Sequence, residues 1–250
     1  MKALFSYHLT RILRKKSMWG VLIFLIVANW LLETQVTPAV YDLPANALLA
    51  RFLSPDATQE DLFRICFTGS QMSLGAIFLL LGAAVGGDVL CPALRASAML
   101  PITAVGYTPR QQSRCCVRLA LLLCGLGILA ALLGEFLLPN SSLTTMARVQ
   151  PQLLLLLELT RLLLYLGNAG LGLLLCRLFL RCDIALVLGS LFTVAETLPN
   201  LSRICVILPS GSIKQLLFGP SPALSLCLGI LESAVILLLC FLPIGKEVSP

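Results

Sequence analysis

The sequence predicts an all-α membrane protein: six transmembrane helices preceded by an amphipathic helix lying in the membrane interface. Three observations carry that expectation. Apolar residues make up 58% of the 250-residue chain and charged residues 12%, with a mean hydropathy of +0.95, whereas about a quarter of a soluble domain is charged. The apolar residues are gathered into runs: Leu119 to Gly134 carries no charge, and Phe63 to Gly87 none beyond Arg64. The runs are leucine-rich and of helical length, which excludes the alternating strands of an outer-membrane barrel. Too little polar sequence remains to coat one soluble core of this size.

The chain reads as a single transmembrane domain over residues 1–250. Its first element, residues 1–17, has Phe5, Leu9, Ile12 and Leu13 on one helical face and His8, Arg11 and Lys15 largely elsewhere. That is the pattern of a basic interfacial helix, although the same cations could serve only to set topology. Spans follow at about 18–32, 63–86, 117–138, 152–175, 184–198 and 223–244. The first and fifth fall short of the twenty or so residues a crossing needs, and the fourth carries Glu158 and Arg161.

Two loops stand out. Glu33 to Leu62 holds five acidic residues against Arg51 and is broken by Pro38, Pro44 and Pro55, which suits either a solvated cap or a contact surface for a cationic ligand. Leu198 to Pro222 is apolar for a loop, and its "SRICVILPS" is too short to cross, so a re-entrant or interfacial hairpin is expected there.

Lysine and arginine set the orientation. Twelve of the 18 fall on one side: Lys2 to Lys16, the cluster Arg95, Arg110, Arg114 and Arg118, then Arg177, Arg181 and Lys246. Five fall on the other side and Arg161 lies within a span. Both termini are therefore expected in the cytoplasm.

Recognisable catalytic chemistry is missing from the sequence. There is no Gly-x-x-x-x-Gly-Lys-Ser/Thr loop for nucleotide, no His-Glu-x-x-His and no Gly-x-Ser-x-Gly. The single histidine, His8, sits on a basic helix, so the chain is not expected to be an enzyme. The ten cysteines lie in or beside apolar runs without Cys-x-x-Cys spacing, where they act as small hydrophobes and no metal site is expected. What remains are charges inside spans. Glu158 and Arg161 are three residues apart and close enough to pair locally. Glu232 sits mid-span, and all three are candidates for a transport path or a subunit contact. Glu135 and Glu196 lie nearer the outer ends, in reach of water. Glycines at 82, 86 and 87, at 125 and 127, and at 167, 170 and 172 would permit close helix approach.

The layout resembles the membrane subunit of an ABC-2 type exporter, the permease half of an ABC transporter. A basic helix precedes the first span and an outer loop follows it. The second span ends in "LGAAVGGDVLCPALR", and a cytoplasmic stretch ends in "AVGYTPRQQSRCCVRLALLL". Gly87, Asp88 and Arg95 stand where that family closes its second span, and Gly106 and Arg110 stand where it enters its third. Cys91 and Pro92 depart from the glycine-threonine pair usual there, and "ASAMLPITAV" is long and apolar.

The resemblance implies that residues 88–116 form a coupling segment docking on a separate ATPase dimer, with Asp88, Arg95, Gly106, Tyr107, Arg110 and Arg114 on the docking surface. It implies no cofactor on this chain, with ATP and magnesium held by the partner. It further implies a second permease subunit, identical or paralogous, and residence in a bacterial cytoplasmic membrane. The subtype is similar to small permeases of peptide-antibiotic export or immunity. The competing expectation is a six-helix protein with no ATPase, either an ion-coupled carrier or a scaffold subunit of a membrane complex.

Overall fold

A computed structural model describes residues 2–16, 19–20, 23–24, 27, 75, 77–91, 95, 105–136, 151–197, 208–212 and 222–242. Among them there are six helices and no strand: α1 (Lys2–Leu13), α2 (Ile77–Cys91), α3 (Pro109–Phe136), α4 (Pro151–Phe179), α5 (Cys182–Thr197) and α6 (Pro222–Leu239). Two stretches, Pro109–Leu133 of α3 and Glu158–Phe179 of α4, are long and apolar enough to cross a membrane. Shorter apolar helices cover Ile77–Cys91, Cys182–Phe192 and Leu226–Leu239. The outer loop at 33–62 and most of the expected first span lie outside the described residues. Trp19, Gly20, Ile23, Phe24 and Val27 of that span are helical and exposed.

Local chemistry fixes the helix ends. Thr108 caps α3: its hydroxyl accepts from the Gln111 amide at 3.3 Å, while the Gln111 side-chain oxygen accepts from the Thr108 amide at 3.1 Å. This reciprocal box satisfies two otherwise orphaned donors, and Pro109 occupies the first helical position, where a missing N–H costs nothing. Just before it, Gly106 has a φ of +91°, a conformation that residues with a Cβ rarely adopt. α4 stops at Leu180, which enters the left-handed region at φ +51° and lets the chain reverse into α5. A glycine is usual at that position; here Leu180 also packs its side chain against the core, which offsets part of the strain.

α4 is the axis of the bundle. It packs against α3, α5 and α6. α2 crosses it so closely that a Cβ on Gly82 would lie 2.0 Å from the Ala169 carbonyl oxygen, and one on Gly172 would lie 2.3 Å from that of Leu79. The glycines of "GAAVG" and "GNAGLG" therefore face each other, a partnership sequence spacing could not reveal. The core between α2, α3 and α4 holds Phe78, Leu119, Ile128, Tyr165 and Leu173, and the end of α1 adds Ile12. Phe78 and Tyr165 tilt against each other with centroids 4.6 Å apart.

Successive helices reverse direction. The C-terminal ends of α2, α4 and α6 meet the N-terminal ends of α3 and α5, and α1 lies at the same end. Contacts fix this arrangement: Lys15 pairs with Asp88, Arg177 reaches both Ser113 and the Cys240 carbonyl, and Cys182 packs against Gly87. The bundle has one strongly basic end.

Helix bounds differ from the sequence reading in physically sensible ways. α3 begins at Pro109 rather than at 117, because the capping box starts the helix two turns before the apolar run. α2 continues through Asp88 to Cys91, so the first residues of the expected coupling segment are helical. α1 is also rotated from its expected face. Leu4, His8 and Ile12 are buried, Phe5 and Leu9 flank them, and Leu13 is exposed. His8 lies on the packed side.

Candidate functional site

Two polar assemblies are built on this frame, one at the basic end and one inside the bundle.

At the basic end, the Lys15 ammonium donates to Asp88 at 2.6 Å, tying the chain just after α1 to the last turn of α2. Both side chains are about one-third exposed (35% and 34%), so solvent screens the attraction and its worth is about 1 kcal/mol. Asp88→Lys should loosen α1 from α2, and adding Lys15→Asp should restore the docking. Hydrogen exchange of the α1 amides, followed through a double-mutant cycle, checks this expectation.

Beyond the pair, Arg95 is exposed, and the turn carrying Val105, Gly106 and half-buried Tyr107 leads into α3. Val105 is 74% exposed, more than any other large apolar side chain among the described residues. Arg110, Arg114 and Arg118 are exposed at successive i,i+4 positions, followed on α3 by exposed Leu122, Leu126, Leu129 and Leu133. At about 100° per residue Arg118 falls nearly in line with those leucines, and Arg110 is turned roughly 100° or more from them. The expected docking residues thus divide. Gly106, Arg110 and Arg114 are exposed along the turn and first turns of α3 that follow Val105, Arg95 is exposed, and Tyr107 is half-buried, whereas Asp88 is engaged by Lys15.

A second ion pair stands at this end. Arg181 brackets Asp183 with two hydrogen bonds, the Nε–H bond being 3.1 Å, and these bonds hold the Asp183 carboxyl below its ordinary pKa. Three thiols also gather here, where α2, α4 and α5 meet. The Cys91 thiol donates to the Cys176 carbonyl at 3.9 Å, and the Cys176 and Cys182 thiols donate to the Ala83 carbonyl at 3.1 and 3.6 Å. Sequence spacing gave no sign of this cluster, since its members come from three helices.

Inside the bundle, polar residues follow α4. Arg161 is 1% exposed, donates to Glu158 at 2.7 Å and lies 5.9 Å from the Tyr165 ring centroid. The pair is local, as its spacing suggested, and burial of the guanidinium favours a structural role over a path-lining one. Two turns further on, Asn168 is fully buried. Its amide nitrogen donates to the Gly75 carbonyl at 2.8 Å and to the Ser210 hydroxyl at 2.7 Å, and its oxygen accepts from the Ser210 amide at 3.2 Å.

The turn at 208–212 is thereby drawn into the bundle. Leu208, Ser210 and Ser212 are buried, and the Ser212 hydroxyl donates to the Pro209 carbonyl at 2.7 Å. Ser212 rests on Gly229, seven residues or about 10 Å below the start of α6. Of the expected hairpin at 198–222, these five residues are described and pack inside the bundle, and the rest lies outside the described residues. Sequence reasoning passed over Asn168; an asparagine between two glycines of an apolar helix was the available signal. Glu232 is half-buried on α6.

No known protein family, characterised protein or solved structure matches this chain.

Proposed function

We propose that this chain is the membrane-spanning subunit of an ATP-driven exporter, with six crossings and both termini in the cytoplasm. A separate ATPase dimer docks on its basic end. The observation that carries the reading is the surface around Val105. A valine 74% exposed at the basic end of the bundle, in the turn that leads to exposed Arg110 and Arg114, has the apolar centre and charged rim of a protein-docking site. It does not belong to the outward leucine faces of α3 and α6, which suit lipid tails.

Those leucine faces support the membrane part of the reading. Leu122, Leu126 and Leu133 on α3, Val187 and Leu191 on α5, and Leu228, Leu231 and Leu238 on α6 all point outward. A water-soluble monomer rarely exposes apolar surface on this scale. The Lys15–Asp88 pair and the Arg177 bonds to α3 and α6 would make the basic end a stiff plate. Closure of the ATPase dimer would then move α2, α3 and α4 together and bias the bundle between inward- and outward-facing packings. Six helices would not readily enclose a large path alone, so a second copy or paralogue would complete the pore. ATP and magnesium belong to the partner, and a bacterial cytoplasmic membrane is the setting in which such two-gene exporters work.

A second reading, an ion-coupled carrier or scaffold subunit without an ATPase, draws on the buried polar line from Glu158 to Asn168 and the turn it holds. One experiment separates the two. The tagged chain is purified from its native membrane in mild detergent, as wild type and as Arg110→Glu/Arg114→Glu. The exporter reading expects a P-loop ATPase that co-purifies with the wild type and falls at least tenfold in the variant. Absence of an ATPase from an otherwise intact complex would transfer the assignment to the second reading.

A further inference from the structure

We infer that α1 carries a binding site for the phosphate of an anionic phospholipid, built from His8 and Arg11. This rests on the membrane reading alone and not on the ATPase. His8 is 1% exposed, and neither ring nitrogen has a hydrogen-bond partner. One turn further on, the Arg11 Nε and one terminal nitrogen are also buried without a partner. Residues three apart on a helix share a face, and burial first, then the Arg11 charge, disfavours the His8 imidazolium. Orphaned buried donors each cost about 1–3 kcal/mol, so three of them gathered on one face mark the place of an absent acceptor.

The chemistry of that acceptor follows from the donors. The Nε–H and terminal N–H edge of arginine is a fork that matches two oxygens of one oxyanion, and an imidazole N–H supplies a third bond. Among the described residues the chain offers no such oxyanion here. Residues 2–16 contain no acid, and the Asp88 carboxylate is occupied by Lys15. The oxyanion therefore comes from outside. α1 lies at the basic end of the bundle, and Trp19, just beyond it, donates its indole N–H to the Leu13 carbonyl at 3.0 Å while its ring is exposed. That is the amphipathic placement of a headgroup-level tryptophan. At this depth the abundant oxyanion is a lipid phosphate. A net negative lipid is preferred over a zwitterionic one because Arg14 and Lys16 add exposed positive charge beside the site.

The test uses the full chain in vesicles, with Trp30→Phe leaving Trp19 as the only tryptophan. Quenching of Trp19 by brominated phosphatidylglycerol is compared with quenching by brominated phosphatidylcholine, both in phosphatidylcholine vesicles. The expected preference for the anionic lipid is about fivefold or more. Arg11→Gln and His8→Phe, the latter filling the same space without ring nitrogens, should each bring it near unity. Arg14→Gln, which changes the same charge outside the site, should leave most of it.

Equal quenching by the two lipids in the wild type would overturn the inference. So would an equal loss in Arg14→Gln and Arg11→Gln, since that describes diffuse attraction without a site. Displacement of phosphatidylglycerol by inorganic phosphate would assign the site to free anion and overturn the lipid claim. Retention of the full preference by both His8→Phe and Arg11→Gln would overturn it as well. None of these outcomes bears on ATPase docking, which the pull-down reads separately.

Discussion

Glu158→Leu is expected to destabilise the folded chain by about 3–5 kcal/mol, because it removes the carboxylate that accepts from the buried Arg161 guanidinium at 2.7 Å. The Tyr165 ring, 5.9 Å away, cannot make up the difference. A cation–π contact of that length is worth about 1 kcal/mol. The double variant Glu158→Leu/Arg161→Leu removes both charges and should recover most of the loss, since two leucines on α4 suit their surroundings. Denaturant titration of the purified chain in detergent, read by circular dichroism, gives the three values needed for the cycle. Additive losses would mean that the pair is not coupled and that Arg161 is satisfied elsewhere.

Gly82→Ala should be as damaging by a different route. The added methyl would sit 2.0 Å from the Ala169 carbonyl oxygen and 2.6 Å from its carbon. Backbone atoms cannot step aside as the tip of a side chain can, so α2 and α4 must separate along their crossing. The cost is about 3 kcal/mol or more, and Gly172→Ala, facing the Leu79 carbonyl at 2.3 Å, should behave alike. Helices surrounded by lipid gain little from burying leucine, which makes close packing their main source of stability. Gly125→Ala is the control. Nothing lies within 4 Å of its Cβ position, so the better helix propensity of alanine should stabilise α3 by a few tenths to about 1 kcal/mol. The same substitution thus has opposite signs at two glycines, and the detergent unfolding midpoints of the three variants test it.

The long elements were legible because an uninterrupted apolar run has few alternatives to a helix. α3 and α4 follow directly from Leu119 to Gly134 and from the leucines before and after Glu158. The start of α3 was missed, since the expected span begins at 117; the available signal was "TPRQ", where a threonine, a proline and a glutamine stand at capping positions. The rotation of α1 was not legible. Phe5, Leu9 and Ile12 describe one helical stripe, but Leu4, His8 and Ile12 describe another one residue away, and only packing decides between them. Long-range polar partnerships were out of reach for a related reason. Asp88 could be marked as significant, yet nothing near it in sequence indicates Lys15, 73 residues earlier. Asn168 finds Ser210 across 42 residues. Local spacing reports a pair such as Glu158 and Arg161, whereas a pair made by topology needs the topology first.

The central claim, that the Val105 surface receives an ATPase, is tested most directly by a photo-crosslinking residue. It is placed at Val105 in the native membrane, with a matched chain carrying it at Leu133 on the outward leucine face. The account predicts one dominant crosslink from position 105 to a P-loop ATPase, lost when Arg110 is changed to glutamate, and only lipid adducts from position 133. Lipid adducts alone from position 105, with the complex intact, would contradict it.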